Sequence, residues 1–275
     1  MDLREQPVET IQIRKKLIIL DSRDRDFSKY AEPNNYRATL PDVYRKIFRM
    51  RLVSYEIPNS FYTFDASLSN VTFDVSSGVG GFTSKTIPNG NYTPTTLANK
   101  IDTELGGSYA VTVDPATNKM TITNNQNFSI NFDVTNTTDM NTEWGLGYYM
   151  GFKKQLYTST GGGSSWSITS DYPVNTDPWK YILMEIDTMN DLDELPLEGR
   201  KSGSRKAAFA KIIMQNGKWE YEFGNEQTSL HNDFIFDPPR EKLGSLMIQF
   251  RLHDGRAVNF NHMDHSLTLE LDYEL

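Results

Sequence analysis

The sequence has no cysteine among its 275 residues. Disulfides and thiolate metal sites are therefore excluded, and stability has to come from packing or from assembly. No apolar run approaches the length of a membrane span, and the first residues lack the apolar core of a signal peptide. The net charge is -8, and because phosphate neutralisation needs surplus Lys and Arg, nucleic acid is not an expected partner.

Catalytic motifs are also lacking. The sequence contains no Gly-x-Ser-x-Gly, no Walker loop and no cysteine nucleophile. Gly145–Gly151 has the glycines of a dinucleotide-binding turn, but no buried strand leads into it and no helix leads out. An aromatic-rich edge of a β-module is the better interpretation. We therefore predict that the chain is not an enzyme and needs no cofactor.

What the sequence does contain is one long extended stretch, Tyr44–Phe64, which we expect to end at Pro58. Its apolar residues change phase near Leu52, which predicts a β-bulge or a strong twist there. The best partner strands lie far away, at Leu246–Leu252 and Ser266–Leu275, and the latter alternates apolar and polar residues without interruption. The two ends of the chain are therefore predicted to be neighbours.

Shorter strands separated by turn signals complete this pattern. A tight hairpin is predicted at Asn216-Gly217. Pro41 is expected to end the strand before the central stretch. Short strands with paired termini predict an all-β protein, an antiparallel β-sandwich of jelly-roll or Greek-key type. The shorter strands are Leu17–Leu20, Tyr36–Leu40, Tyr181–Ile186, Ala207–Met214 and Lys218–Phe223.

A segment of different composition interrupts the sandwich. Residues 65–164 are rich in Thr, Asn, Ser and Gly and poor in Lys and Arg, which predicts a small inserted β-α-β-β module. Thr93 is a helix N-cap before Pro94, and Gly106 can close that helix. The stretch TSTGGGSSWS, residues 158–167, is interpreted as a flexible linker back to the main body.

The resulting domain organisation has three parts. Residues 1–13 form a polar N-terminal arm, residues 14–64 together with 165–275 form the jelly-roll sandwich, and residues 65–164 form the insert with its Gly/Ser linker. The sequons at Asn70, Asn91, Asn127 and Asn136 all fall in or beside polar parts of the insert and are interpreted as composition, since no signal peptide precedes them.

Two constellations suggest sites. His262, Asp264 and His265 resemble the His-x-Asp start of an iron oxygenase triad, but no later strand remains to supply a third ligand. His262 and Asp264 are therefore only weak metal candidates, and polar residues capping a strand are the simpler interpretation. Clustered basic residues are candidates for contacts with a partner, against the default of a solvated surface. They are Arg14, Lys15, Lys16, Arg200, Lys201, Arg205 and Lys206.

The order of several motifs resembles one protein family. The first motif, in Asp21–Pro41, is an Asp-Ser-x-Asp-Arg-Asp run followed by Pro-Asn-x-Tyr. The second, in Ile57–Tyr62, is an Ile-Pro-Asn-Ser turn followed by an aromatic pair. Gly90–Thr93 reads Gly-Asn-Tyr-Thr, and Asp264–Glu270 reads Asp-His-Ser-Leu-Thr-Leu-Glu. In this order they resemble the jelly-roll minor capsid and penton-type proteins of nucleocytoplasmic large DNA viruses, including those that infect algae.

This resemblance implies a structural component of an icosahedral shell. The expected partners are the major capsid protein and other minor capsid proteins, with self-association around a symmetry axis as a further possibility, and the expected location is the virion, assembled in the host cytoplasm. One alternative is a carbohydrate- or receptor-binding β-sandwich of a fibre or spike, using Trp144, Tyr148 and Tyr149. The third hypothesis is an Fe(II)/2-oxoglutarate-type oxygenase on a double-stranded β-helix.

Overall fold

The structure is a computed structural model that describes residues 12–78, 80–135, 143–194, 207–225 and 233–274. Within these ranges the chain is mostly β-strand. No helix in these ranges is both long and apolar enough to cross a bilayer. The strands are β1 Ile13–Asp21, β2 Asn35–Pro58, β3 Thr72–Ser77, β4 Thr83–Thr86, β5 Ala110–Val113, β6 Met120–Asn124, β7 Phe128–Asn131, β8 Leu156–Thr158, β9 Thr160–Gly162, β10 Ser165–Thr169, β11 Tyr181–Ile186, β12 Ala210–Ile213, β13 Tyr221–Gly224, β14 Asp233–Arg251 and β15 Ser266–Glu274; the helices are α1 Pro94–Leu105 and α2 Leu146–Tyr149, with 3₁₀ turns at Ser22–Asp24 and Ala66–Leu68.

The described chain divides into two compact units. Unit 1 contains the residues up to Phe61 and those from Lys180 onwards, and unit 2 contains Tyr62–Trp179. Ile13, which was assigned to the N-terminal arm, is the first residue of β1 and pairs with Glu274. The predicted arm therefore overlaps the first strand of the sheet by this one residue.

Unit 1 is a seven-stranded sheet in the order β1-β15-β2-β14-β11-β12, with β13 also pairing with β2. The pairings are antiparallel, and the first and last strands of the chain lie side by side over their whole length. The inward face carries the buried apolar side chains of the core, among them Ile47, Met50 and Leu271. The predicted all-β antiparallel fold class and the predicted neighbourhood of the two chain ends are confirmed.

Strand β2 pairs with β13, β14 and β15, and it is long because it continues past Pro41, where the sequence predicts a break. Pro41 does not end it: register is lost between Thr39 and Tyr44, where a bulge leaves the proline without a ladder bond to make. A second register shift sets Thr268 opposite Ser54 but Leu269 opposite Leu52. The predicted bulge near Leu52 is thus confirmed, with Leu52 and Val53 half-buried beside it.

The predicted hairpin at Asn216-Gly217 is wrong. β12 pairs with β11 and β13 pairs with β2, so the two strands that flank the turn have different neighbours. The loop between them is held by its own side chains, because the Asn216 amide donates to Glu222 at 2.6 Å and the Gly217 amide donates to Glu220 at 3.0 Å. β11 is paired on both edges and nearly all buried, as predicted for a central strand.

Unit 2 contains two four-stranded sheets, β5-β6-β10-β9 and β4-β3-β7-β8, and the helix α1. The Thr93 hydroxyl accepts the Thr96 amide and Pro94 opens the helix, as the sequence predicted. Four side chains of α1 enter the apolar core of the unit, namely Leu97, Ala98, Ile101 and Leu105. The predicted helix and its N-cap are confirmed.

The Gly/Ser stretch at residues 158–167 is not a linker. It includes the last residue of β8, all of β9 and the first three residues of β10, and β9 pairs with β10 as a hairpin. Gly161 has a φ of +149°, and a Cβ there would lie 2.2 Å from the Ser165 carbonyl oxygen. Glycine at position 161 therefore permits the close approach of the two strands of this hairpin. Ser165–Thr169, which were predicted to belong to the sandwich, lie in unit 2.

Candidate interaction surface

Unit 1 presents a ladder of charges on the outward face of its sheet, across β1, β15 and β2. Glu270 of β15 lies between Lys15 on one side and Arg51 on the other, with nitrogen–oxygen distances of 3.4 and 3.0 Å. Arg49 reaches Glu270 at 2.7 Å and Asp272 at 2.9 Å. We call these five residues the charge ladder.

The ladder follows from strand register. Arg51 lies opposite Glu270 and Arg49 opposite Asp272, so each arginine of β2 meets a carboxylate of β15 on the same face. Arg49 also reaches Asp233 of β14 at 3.1 Å. The hydrogen bond from Arg51, reinforced by its charge, holds the pKa of Glu270 below its usual value against partial burial. The carboxylate is therefore ionised over the whole physiological range.

At the β1 edge of this face, most of the exposed side chains are apolar. Ile13, Leu17 and Ile19 alternate along β1 and all point outward, with Leu17 58% and Ile19 75% exposed. Ile18 and Leu20 point the other way, into the core. We call Ile13, Leu17 and Ile19 the β1 stripe. Exposed apolar side chains in a row are a feature of contact surfaces.

The basic candidates fall into two groups. Arg14, Lys15 and Lys16 are exposed on β1, where Lys15 joins the charge ladder. Arg14 and Lys16 show no ion pair within the described residues and remain predicted contacts. The four others lie outside the described residues, namely Arg200, Lys201, Arg205 and Lys206.

The motif that follows β1 is built around a buried arginine. Arg25 donates to the carbonyl oxygens of Ser22, Tyr30 and Ala31 at 2.7, 3.0 and 3.0 Å. It also binds the Asp264 carboxylate at 2.6 Å. The Asp-Arg-Asp run therefore folds its loop around one guanidinium, which can satisfy several acceptors at once because it carries five N–H donors.

The same contact involves Asp264, one of the two weak metal candidates. Asp264 accepts from Arg25 and from the Ser22 hydroxyl at 2.7 Å, so its carboxylate is already bound within the loop. His262 is exposed and lies 3.4 Å from Glu32. Among the described residues, no three His, Asp or Glu side chains are grouped so that they could hold a metal ion.

His265 has a different role from the one the triad hypothesis gave it. It is buried in unit 1, with ring centroids 4.8 Å from Phe250, 5.6 Å from Phe260 and 5.6 Å from Tyr36. Its Nε2 hydrogen-bonds the Pro33 carbonyl oxygen at 2.9 Å. Burial lowers the pKa of His265 to about 4, so the ring is neutral at neutral pH.

The Ile-Pro-Asn-Ser turn is also a fixed contact. Ser60 donates to the Phe260 carbonyl oxygen at 2.6 Å, and Asn261 donates back to the Ser60 carbonyl oxygen at 2.6 Å. Asn59 donates to the Asn216 carbonyl oxygen at 2.9 Å. Polar groups of this buried turn are thus paired with the loop before β15 and with the loop before β13.

The corresponding motif of unit 2 works in the same way. The Asn91 side chain accepts the Thr63 amide at 2.7 Å, and the Tyr92 hydroxyl donates to the Pro88 carbonyl oxygen at 2.7 Å. Asn70 is fully buried and its amide donates to the Thr63 carbonyl oxygen at 2.7 Å. Two of the sequon asparagines therefore have structural hydrogen bonds, and Asn127 is exposed; Asn136 lies outside the described residues.

One of the three aromatic residues suggested as a receptor site in unit 2 is not on the surface. Tyr149 is completely buried, its ring centroid 5.2 Å from that of Phe64. Tyr148 and Trp144 are only partly exposed. Because Tyr149 belongs to the core, these three rings cannot form one exposed binding surface.

Sequence reasoning missed the charge ladder, although the signal was present. Arginines alternate with apolar residues in the central strand, and acidic residues alternate with leucines in the last strand. Once the two strands were predicted to pair, opposite charges on their outward faces were the natural consequence. Arg25 carried no such signal, because its partners are mostly backbone carbonyl groups.

Taken together, the fold and this surface define an antiparallel all-β protein whose motif residues hold loops and strand ends in place. The model of a family of unknown function, DUF5901, matches residues 6–182, and the chain belongs to that family. No curated protein matches the chain.

Two solved structures are similar over almost the whole chain. One is the mavirus penton protein, with 9% identity, a TM-score of 0.47 and coverage of 96% of this chain and 100% of that one. The other comes from the cryo-EM structure of the Sputnik virophage, with 12% identity, a TM-score of 0.36 and coverage of 96% and 98%. At these TM-scores neither similarity assigns a role to any residue of this chain.

Proposed function

We propose that this chain is a structural component of an icosahedral virus capsid, a minor capsid or penton-type protein that contacts the major capsid protein and stabilises the shell. The observation that carries the proposal is where the resembling motifs lie. Their polar side chains, such as Ser22, Ser60, Asn91 and Asp264, form hydrogen bonds that hold loops and strand ends. These motifs therefore hold the loops and strand ends in fixed positions. This is what a shell protein requires, because its function is to present a fixed surface to its neighbours.

The outward face of unit 1 supports the same proposal. The charge ladder ties neighbouring strands together, so this face has a defined pattern of charge beside the apolar β1 stripe. Charge patterns of this kind select partners, while apolar groups contribute binding free energy. Arg14 and Lys16 are the basic contacts that we propose for an acidic neighbour.

The location and partners belong to the proposal as well. The chain is expected in the virion after assembly in the host cytoplasm, where the absence of cysteine suits reducing conditions. Its expected neighbours are the major capsid protein, other minor capsid proteins and further copies of itself. Catalysis is not part of this role.

Particle fractionation tests the proposal directly. Particles are purified on successive density gradients and washed with detergent and nuclease, and the chain is quantified against the major capsid protein by mass spectrometry. We expect a constant ratio across the particle peak. Recovery of the chain only from infected-cell lysate, with none in the particle peak, would contradict a shell role.

A truncation tests the N-terminal arm separately. Deletion of residues 1–11 stops short of β1, whose pairing with β15 begins at Ile13. We expect the truncated chain to keep its circular dichroism spectrum and its melting temperature but to enter particles less efficiently. A truncated chain that is incorporated as well as the full chain would remove the arm from the proposal.

One observation favours a second function, a receptor-binding role on the virion surface. Trp219 and Phe223 are 54% and 68% exposed, and Tyr221 lines a hollow of about 480 Å³ together with Glu56 and other polar side chains. Exposed rings beside carboxylates can bind sugars by stacking and hydrogen bonding. A glycan-array signal that Phe223→Ala abolishes and Phe27→Ala leaves unchanged would support this function.

A further inference from the structure

Strand β1 has a second edge that no strand occupies within the described residues. It lies at the end of the sheet order, with β15 as its described neighbour. Beside the C-terminal end of this edge is a groove of about 370 Å³, lined by residues that include Ile19, Asp21, Arg37 and Thr39. An open strand edge carries backbone donors and acceptors that can pair with another chain.

The backbone groups on that edge can be assigned from the ladder. The Ser22 amide donates to the His265 carbonyl oxygen at 2.9 Å, in continuation of the uninterrupted β1–β15 register. Backbone groups alternate in direction along an antiparallel strand, so the even-numbered residues of β1 face β15. The odd-numbered residues, from Ile13 to Asp21, therefore face the free edge.

The same odd-numbered residues form the outward side-chain row, and this row is self-complementary. From Lys15 onwards it reads Lys15, Leu17, Ile19, Asp21, with a cation at one end of this part, an anion at the other and apolar side chains between. An antiparallel pair of two such strands, centred on Ile18, places Leu17 opposite the second copy's Ile19. It also places Lys15 opposite the second copy's Asp21.

We propose that β1 is a contact between two copies of this chain, which pair through their free β1 edges around a twofold axis in this register. Along the outward row, centring the pair on Leu17 or on Ile19 instead would set a charged side chain against an apolar one. An isologous contact of this kind needs only one self-complementary patch. The inference stands on the geometry of β1 and does not depend on the proposed shell function.

Lysine on an edge strand ordinarily opposes such pairing. Here Lys15, which lies 3.4 Å from Glu270, gains a second carboxylate in the second copy's Asp21, while Lys16 lies opposite the second copy's Leu20. A single strand pair buries less than the roughly 1,200 Å² of a standard interface. The dimer is therefore weak in dilute solution, and covalent trapping is the suitable measurement.

The absence of cysteine makes the trapping experiment free of background. Full-length Leu17→Cys and Ile19→Cys proteins are prepared separately, and both positions are exposed enough for the fold to tolerate the change. Directly opposite residues have Cα atoms about 5.5 Å apart, within the range of a disulfide, whereas diagonal neighbours lie beyond about 7 Å. Each variant is oxidised alone and then in an equal mixture.

We expect the mixture to give at least about tenfold more disulfide-linked dimer than either variant alone, because only the mixture contains the opposed pair. The matched control is Ile235→Cys mixed with Leu17→Cys, since Ile235 is 59% exposed on another strand of unit 1. A yield in the test mixture no higher than in this control would overturn the proposal. Equal yields in the mixture and in the single-variant samples would overturn the register and therefore the proposal as stated. Circular dichroism of each variant checks folding first.

Discussion

The two units reach stability by different means. Unit 1 combines an apolar core with charged groups, namely the ladder on its outward face, the buried Arg25 in its loop and the Arg251–Glu185 pair in its interior. Unit 2 depends on an apolar core rich in aromatic rings, with hydroxyl and amide groups serving its turns. The difference follows the composition, because the insert is poor in Lys and Arg.

The difference has a physical consequence. Interactions between charges respond to pH and, where they are exposed, to salt, whereas burial of aromatic rings responds to neither in the same range. Unit 1 should therefore lose stability under conditions that leave unit 2 intact. Hydrogen exchange read by mass spectrometry separates the two, because each peptide belongs to one unit.

The largest expected effect is in unit 2. Phe132 is buried, stacks on Phe152 with centroids 4.7 Å apart and also contacts Phe73 and Tyr157. Phe132→Ala leaves a cavity in this core, and we expect it to lower the free energy of unfolding by about 3–5 kcal/mol. Chemical denaturation followed by exchange in unit 2 peptides measures it.

Phe82→Ala is the matched control, since Phe82 is 50% exposed in the same unit. We expect its effect to remain within about 0.5 kcal/mol. Equal losses for the two variants would show that the aromatic core does not carry the stability of unit 2, and the comparison between the units would fail.

The second effect is a pH dependence that should appear in unit 1 alone. All of the histidines in the sequence follow residue 230, so unit 2 has none. The pKa of His265 is about 4 in the fold, below its ordinary value of 6.5, so the unfolded chain binds more protons between these values. The free energy of unfolding is therefore not reduced by His265 above pH 6.5. It falls by on the order of 3 kcal/mol as the pH drops towards 4.

The matched variants are His265→Phe and His262→Gln, measured by urea denaturation from pH 4 to pH 7. His265→Phe removes the titrating ring from an aromatic environment, so we expect its stability to change less with pH across this window. His262 is exposed, so His262→Gln is the control for replacing a histidine outside the core. A profile of His265→Phe as steep as that of the unaltered chain would assign the pH dependence to other groups.

How far the sequence predicts this molecule depends on the range of the interactions. Helix α1, with Thr93 and Pro94 at its start, was predictable because its signals are local. The pairing of β15 with β2 was predictable because an unbroken alternation requires one buried face. The β12–β13 hairpin failed because the choice of neighbouring strand is decided by the whole sheet, not by the turn.

The candidate surface was predictable only in part. The basic residues of β1 were identified from their clustering, whereas the free edge beside them depends on strand order, which no local pattern encodes. The sequence makes Asp264 a weak metal candidate because its partner, Arg25, lies far away in the sequence. The Gly/Ser stretch looked like a linker because glycine that permits close hairpin contact and glycine that gives flexibility have the same composition.

The third effect tests the charge ladder. Arg49 contacts Asp233, Glu270 and Asp272, and its side chain is mostly buried between them. Arg49→Met keeps much of the side-chain volume but removes the charge, and we expect a loss of about 1–2 kcal/mol that becomes smaller in high salt. Urea denaturation at low and high ionic strength measures both parts of the expectation.

Lys29→Met is the control for Arg49→Met, because the Lys29–Asp26 pair is exposed on both sides. We expect less than about 0.5 kcal/mol for this variant at any ionic strength. If the loss caused by Arg49→Met does not depend on salt, the packing of the arginine stem matters more than its charge, and the contrast between the two units weakens.

The smallest effect tests whether polar groups matter in unit 2 at all. The Thr93 hydroxyl accepts the Thr96 amide at 3.2 Å, which pairs one of the free donors at the start of α1. Thr93→Ala should cost about 1 kcal/mol, independently of salt, because no charge is involved. Thr103→Ala is the control in the same helix: its exposed hydroxyl donates back to the Asn99 carbonyl oxygen, and alanine has the higher helix propensity, so stability should stay the same or rise slightly. If Thr93→Ala lowers the free energy of unfolding by no more than Thr103→Ala, the N-cap hydrogen bond contributes nothing measurable. The helix is then held by its apolar face alone, and unit 2 depends on apolar packing even at the start of α1.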